Sequence, residues 1–564
     1  MYLKLSWFLL ACLFCKTCYP QTATAPSKDS SDEQTCTVSG IVIRSQDSAP
    51  LKNATVQLAN NPDRERHIAT KTTADGHFLL KNVPAGQYKL IVTRNGYVNQ
   101  ELGQKKPGDP GAMFTLRPGQ RIADLVFKLG LAGVISGKVF DEDGEPMVGV
   151  AVRAMRQVYT DGRKALQTTT EQETNDLGEF RVFGLAPGRY YISAEIPGWN
   201  RIVGDREFSS PEKNTGEKGY AKIYYPNAPE AASASSVNVR EGEEISSIDI
   251  FMKEVTVYRV RGRVQNLFPH QGTGDTQLVV ARRSQITDWD PMGVQMAAKA
   301  DGSFEIPELA PGEYTVIAFF FDQGRSFSTQ EDVNVVNADV SGLTLVIGPG
   351  VDIPGQLLWD GKPSLEGERA SIYLSPEESG VRVRGGGEAH VDEKSQFTLK
   401  EVPQGTFRIN ADGISKDCYI KEVQFGENVL PDRVLHAKRG VSAELRITIS
   451  SRGARLQGIV ANDESLPVAG VWVVAVPEES KRNLRYLYKA VTTDQYGRYD
   501  LRGLVPGEYM IFAWDGVARG EWEDPEFLKT NGAKAVTVEV SDNDAKSTDL
   551  HLIQLERTKT SQTE

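Results

Sequence analysis

The chain has 564 residues, with 64 Lys and Arg against 75 Asp and Glu and a net charge of −11. That balance, with no concentrated run of Lys and Arg, excludes a general nucleic-acid binder, because phosphate binding needs clustered positive charge. A hydrophobic content of 40% excludes a disordered chain, and 52 Gly with 28 Pro mark a turn-rich protein with room for several domains.

At the start, Lys4 precedes the apolar run Leu5–Phe14, followed by Lys16, Tyr19-Pro20-Gln21 and Thr22-Ala23-Thr24-Ala25. A basic start, a short apolar core and a small-residue exit read as a signal peptide over 1–21, followed by a polar linker over 22–35. The run is too short to span a bilayer, which takes about 20 apolar residues. The expectation is a secreted, periplasmic or envelope protein with no transmembrane span after cleavage. Leu9-Leu10-Ala11-Cys12 also resembles a lipobox, the alternative being a lipid anchor at Cys12. Cys12, Cys15 and Cys18 otherwise leave with the leader, and the remaining Cys36 and Cys418 are expected as free, buried thiols.

One pattern then occurs five times. Its clearest copy runs Asp75-Gly76-His77-Phe78 to Val83-Pro84-Ala85-Gly86-Gln87-Tyr88. It recurs from Gly178 to Tyr190, from Gly302 to Tyr314, from Ser395 to Phe407 and from Gly497 to Tyr509. In every copy two aromatic residues stand ten apart, and a Gly lies two before the second. Phe78-x-Leu80 and Tyr88-x-Leu90-x-Val92 alternate with period two, so each flank is a strand with one buried face. Pro ends the ladder, and the Gly is expected to carry positive φ at the bend. Upstream of each corner stands Gly-x-Val or its equivalent: Gly40, Gly137, Gly262, Gly355 and Gly458. A further alternating segment closes each repeat.

The reading is all-β, a tandem array of five Greek-key β-sandwiches with no long amphipathic helix. The expected units are 36–129, 130–255 with a long aromatic loop at 197–236, 256–348, a degenerate 349–450 and 451–556, before a polar tail at 557–564. Short connectors imply a bent or semi-rigid rod.

The order Gly-x-Val, turn, Thr-x-Asp-x-Gly-x-Phe, Leu-x-Pro-Gly-x-Tyr resembles the carboxypeptidase regulatory-like domain, a prealbumin-like (Ig-like) sandwich close to adhesin B-type repeats. The likeness is strongest in repeats one, two and five and weakest in four, where Ser395 replaces the Gly. Tandem secreted copies of this kind look like proteins of environmental bacteria such as acidobacteria. The resemblance implies an accessory or binding role and carries no catalytic residues.

The residues agree with that. The six His are scattered, with no zinc spacing, no Gly-x-Ser-x-Gly elbow and no phosphate-cradling loop. The expectation is no enzyme, no cofactor and no metal. Asp141-Glu142-Asp143-Gly144-Glu145 and Asp542-Asn543-Asp544 carry alternating oxygens that suit calcium, but an acidic turn explains them as well. Lys138 holds the slot of an adhesin-type isopeptide lysine, without an evident Asn partner. The candidate ligand-binding residues are Trp199, Tyr220, Tyr224 and Tyr225, which could stack sugar rings or simply pin their loop to the sandwich. Trp289, Trp522 and Phe319-Phe320-Phe321 share that ambiguity, with Phe320 the one that alternation buries. The leading functional expectation is a non-enzymatic scaffold, adhesion or binding protein. Its partners would be polysaccharide or another envelope protein. The alternatives are a carbohydrate-binding protein and an accessory or regulatory subunit of a peptidase.

Overall fold

A computed structural model describes residues 35–59, 68–160, 162–196, 218–268, 276–283, 287–289, 294–322, 325–366, 369–377, 387–438 and 440–555. The expected leader with Cys12, nearly all of the linker, and the tail lie outside them. The chain is all-β. Among the described residues the single α-helix is Pro525–Asn531, and no helix is long and apolar enough to cross a membrane.

The first repeat shows how the pattern builds structure. Strand Cys36–Arg44 alternates buried and half-buried residues. It pairs antiparallel with His77–Val83 and parallel with Arg121–Leu129. A second sheet sets Thr55–Ala59 between Ile68–Lys71 and Gly86–Thr93. The inward faces meet: Val38, Val42, Phe78, Leu80 and Phe127 join Val56, Leu58, Tyr88 and Leu90 in one core. Each such fully buried side chain contributes roughly 1.5–3 kcal/mol.

The same pairings recur around Gly133–Phe140, Tyr258–Asn266, Val351–Asp360 and Ala454–Ala461. In each, the first strand lies antiparallel to the first corner strand and parallel to the closing segment. Each surrounds a core of its own.

The recurrent residues have local reasons. A Cβ on Gly458 would sit 2.0 Å from the Thr548 carbonyl oxygen, and one on Gly40 2.2 Å from that of Leu125. The Gly of Gly-x-Val is therefore where the closing strand presses on the first. In the corner, the expected Gly carries positive φ at Gly188 (148°), Gly405 (156°) and Gly507 (153°) but not at Gly86 or Gly312, and every copy has a left-handed residue besides. It lies four positions earlier, at Asn82 (φ 55°), Gly184 (78°), Glu308 (56°), Glu401 (52°) and Gly503 (65°). There the corner strand bulges, so the chain bends before the Pro-Gly step. The second aromatic locks the bend. The hydroxyls of Tyr88, Tyr190, Tyr314 and Tyr509 donate to the carbonyls of Pro84, Ala186, Ala310 and Val505 at 2.7–2.9 Å. Phe407 fills the fourth copy without that bond.

A buried Thr adds a second staple. Thr174 Oγ1 accepts from Val150 N at 2.9 Å and donates to the Met147 carbonyl at 2.6 Å. Thr72 and Thr493 do the same in the first and fifth repeats.

The rod is corrected by the structure, because the array turns back on itself. Edge residues 113–116 of the first repeat meet the Asp494-Gln495-Tyr496 turn of the fifth. Lys105 pairs with Asp515 at 2.9 Å, and Gln120 Nε2 donates to the Tyr496 hydroxyl at 3.0 Å. The long hairpin Ala151–Thr160/Arg163–Glu173 of the second repeat also reaches the fifth, where Tyr159 donates to Glu521 at 3.3 Å. Its far edge pairs with Thr287–Trp289 of the third.

Two local additions go beyond the repeat. In the fourth, Tyr419–Phe425 adds a strand beside Leu445–Ser450. In the fifth, residues 516–535 cover the outer face of the sheet. Trp522 and Leu528 pack there with Phe512 and Trp514, so Trp522 is a buried residue. Helix Pro525–Asn531 begins with Asp524 accepting from Glu526 N at 3.0 Å and with Pro at N1. Phe320 is 3% exposed and Phe321 65%, as alternation requires. Cys36 and Cys418 are free and buried.

Candidate functional site

The aromatic segment after Tyr190-Tyr191 was the sequence's best binding candidate. From residue 218 on it is an extension of the second repeat's sheets rather than a loop. Lys218–Tyr220 pairs with Glu254–Thr256, while Ile223–Tyr224 and Ser236–Val239 both pair with strand Gly188–Glu195. These three short strands and a bridging 3-10 turn, Ala231–Ser233, give its backbone groups partners.

This placement overturns one candidate. Tyr224 is 6% exposed and packs among Met155, Leu166, Ala228 and Ala231. Burial, then the Glu195 charge, pushes its phenol up to about 12. A ring enclosed on its faces cannot stack a ligand, so Tyr224 is a packing residue. Tyr220 and Tyr225 are half-buried against the second core. Burial and then the charges of Asp141 and Glu254 raise the Tyr220 phenol, which therefore stays a neutral hydrogen-bonding group at physiological pH. Trp199 lies outside the described residues, and so do the side chains of residues 287–289.

The charges beside Tyr224 are mutually engaged. Arg153 reaches Glu171 at 2.6 Å and Glu195 at 2.7 Å, and Lys222 reaches Glu195 at 3.7 Å while standing 5.5 Å from the Tyr224 centroid. This network ties three strands of one sheet together.

The acidic stretches are turns. Asp141 Oδ1 accepts from Asp143 N at 3.0 Å and Glu145 N at 2.9 Å, an Asx arrangement that closes the hairpin. Asp544 Oδ2 accepts from Ser541 N at 2.9 Å and meets Lys546 at 3.3 Å. Among the described residues, no group of three or more His, Cys, Asp and Glu could hold a metal ion. Lys138 pairs with Glu179 at 3.1 Å on an exposed face. A groove of about 540 Å³ in the fifth repeat is lined by Asp463, Lys534, Asp549 and His551 over an apolar floor. Asp549 is engaged there by Ile459 N at 2.9 Å.

The residues that do join distant parts of the chain were not singled out by sequence reasoning. Gln495 and Tyr496 occupy the two turn positions that hold Ala74-Asp75, Asp176-Leu177, Ala300-Asp301 and Glu393-Lys394 elsewhere. An amide and an aromatic in that slot, unlike any other copy, was the available signal.

Comparison with known proteins follows from this geometry. The model of the family described as the carboxypeptidase regulatory-like domain matches residues 37–129 and 134–206. No curated protein matches the chain. Among solved structures, the chain is similar to the Bacillus anthracis TIE protein at 13% identity, covering 56% of this chain and 51% of that one, with a TM-score of 0.15. It thus spans about half the length of that protein. It is also similar to GBS52, the minor pilin of Streptococcus agalactiae, at 12% identity, covering 39% of this chain and 97% of that one, with a TM-score of 0.22. The shaft pilin SpaA of Lactobacillus rhamnosus GG matches at 11% identity, covering 39% and 98%, with a TM-score of 0.14. These scores are too low to carry an argument about function. The repeated corner and the paired sheets recur within the matched residues, so over 37–129 and 134–206 the chain is similar to the carboxypeptidase regulatory-like domain.

Proposed function

We propose that the protein is a non-catalytic scaffold and binding protein of the cell exterior or envelope. Its units follow the boundaries read from the repeats, and it holds itself in a folded-back arrangement. One observation carries this reading: the turn at 494–496 docks on the edge at 113–116, giving the array a fixed partner for its own last repeat. The recurrent polar residues support it. The corner tyrosines, the stapling threonines and the Asx turns all bond to backbone, which makes them structural groups rather than reactive ones. A scaffold of this kind presents exposed apolar side chains, such as Phe183 at 54% and Phe321 at 65%, on a rigid frame.

Carbohydrate binding is the second reading, favoured by the half-buried Tyr220 and Tyr225. Retention of residues 22–564 on immobilised polysaccharides and on envelope protein fractions tests both readings. Retention on glycan that is lost in Trp199→Ala and Tyr225→Ala supports the second. Retention only on envelope proteins supports the first. Hydrolysis of peptide or glycan by the purified chain would contradict both, as would purification in stable complex with a peptidase whose rate the chain alters.

A further inference from the structure

The second sheet of the third repeat ends on a strand unlike its counterparts. Arg325–Val335 pairs with Gly312–Asp322 over all 11 of its residues, with no shift of register. In the other repeats the strand in this place is Phe114–Leu116, Ser236–Val239, Val434–Ala437 or Val536–Val540, three to five residues long. The first of these is capped by Gln495. Among the described residues no strand pairs with the outer side of Arg325–Val335, and Gln330, Glu331, Asp332 and Asn334 on it are exposed. The strand has no Pro, no Lys and no left-handed residue, features that commonly block an edge.

The neighbouring strand fixes which backbone groups face outward. The Glu313 carbonyl accepts from Arg283 N at 2.8 Å, on the side away from Arg325–Val335. Glu313 stands opposite Asn334, so those two do not exchange hydrogen bonds and Asn334 turns its N–H and C=O outward. With a period of two, Ser326, Ser328, Gln330 and Asp332 do the same. The Asp332 carboxylate is already held on the sheet face, by Arg283 at 2.6 Å and the Thr315 hydroxyl at 2.7 Å. Phe327 and Val333 turn into the core.

We propose that this edge is a self-association surface, where the same strand of a second copy pairs antiparallel about a two-fold axis through Gln330. Such a pairing joins two four-stranded sheets into one. This axis keeps the ladder at full length, because each one-residue displacement removes two residues from it. It sets Phe327 opposite Val333 of the second copy, Thr329 opposite Glu331, and Ser328 opposite Asp332. Apolar groups then meet on the core side, and each carboxylate faces a hydroxyl that can donate to it. An axis at 331 or 332 would set Glu331 or Asp332 opposite its own copy, and like charges directly opposed destabilise a strand pair. An axis at 329 would set Phe327 opposite Glu331. This surface stands independently of the scaffold reading.

The test is made on residues 22–564. Sedimentation equilibrium across a concentration series should show monomer and dimer. Amide exchange should slow over 326–334 as the dimer forms, and stay unchanged at the short edge 434–437. Gln330→Pro removes an outward N–H while sparing the bonds to Gly312–Asp322, and should weaken the dimer at least about tenfold. Oxidising a mixture of Thr329→Cys and Glu331→Cys chains should give a linked dimer more readily than either chain alone. Only the mixture sets the two Cys directly opposite; alone, they stand a diagonal step apart, about 7–8 Å. If Gln330→Pro does not fold, wild-type exchange and the mixed disulfide decide. A monomer at every concentration would leave this edge to some other protein's strand and overturns the proposal. So does a dimer protected elsewhere, unchanged affinity in folded Gln330→Pro, or no preference for the mixed disulfide.

Discussion

The side-chain amide of Gln495 makes both hydrogen bonds of a strand edge with Thr115. Its Oε1 accepts from Thr115 N at 3.0 Å and its Nε2 donates to the Thr115 carbonyl at 2.8 Å, across 380 residues of chain. Strand Phe114–Leu116 pairs with Gly86–Thr93 on its other side, so Gln495 caps an edge that would otherwise be open. Gln495→Ala is expected to leave every core intact while freeing that edge. Amide exchange should accelerate at 113–116 and at 493–496 and stay unchanged at 36–44. The global cost is about 1 kcal/mol. Unchanged exchange at Thr115 would show that the docking does not exist in solution.

The corner tyrosines predict opposite signs in different repeats. Tyr190→Phe deletes the bond to the Ala186 carbonyl and should destabilise the second repeat by about 1 kcal/mol. Phe407→Tyr restores a donor where the fourth repeat lacks one, with the Pro403 carbonyl in the place of Pro84, and should stabilise it by a similar amount. Calorimetric scans resolve this as shifts of different unfolding transitions, because a chain of several cores is not two-state.

Replacing Thr174 by Val keeps shape and removes both bonds of its hydroxyl. The buried Val150 N and the part-buried Met147 carbonyl lose their partner, which costs about 1–3 kcal/mol. Thr174→Ser keeps the hydroxyl and should recover most of that loss in a urea melt of the second repeat.

Gly458→Ala places a methyl 2.0 Å from the Thr548 carbonyl oxygen, which is backbone and cannot rotate away. The first strand must part from the closing strand, at a cost of about 3 kcal/mol or less where the strands can shift. The fifth repeat should melt first in this variant. A transition at the wild-type temperature would show that the closing segment is not seated as described.

Acid sensitivity should concentrate in the fifth repeat at Asp500. Burial by itself would raise this carboxyl, and hydrogen bonds from Arg455 at 2.7 Å and Arg502 at 2.7 Å reverse that and hold it below its ordinary value. A carboxyl depressed in the folded state contributes stability that is complete above its unfolded value, about 3.9, and is lost as pH falls through the folded one. Asp500→Asn should therefore lower stability at neutral pH and flatten its fall between about pH 5 and pH 2. A parallel fall in both proteins would contradict the assignment.

What the sequence displayed was local. The period-two runs, the Gly under the closing strand and the Tyr after the bend act within a few residues, so repetition made them legible as an all-β array. The second bend, four residues before the corner Gly, was not legible, because Asn82 and Glu308 adopt left-handed backbone without being Gly, as only their neighbours can enforce. Tyr224 was hidden for a related reason. A two-residue strand is too short to show alternation, so a buried aromatic in a Gly- and Pro-rich stretch looks like an exposed one. The docking of Gln495 on Thr115 was out of reach altogether, since it depends on how successive repeats are oriented and not on any pattern within one.

Carbodiimide cross-linking, which joins an amine to a carboxylate only where they touch, examines the folded-back arrangement without perturbing it. Lys105 and Asp515 lie 2.9 Å apart in different repeats, while Lys421–Asp360 at 2.8 Å and Lys138–Glu179 at 3.1 Å are controls within a repeat. Peptide mass spectrometry of the monomeric product should recover the Lys105–Asp515 link together with both controls. Recovery of the controls without the Lys105–Asp515 link would contradict the folded-back scaffold and restore an open string of sandwiches.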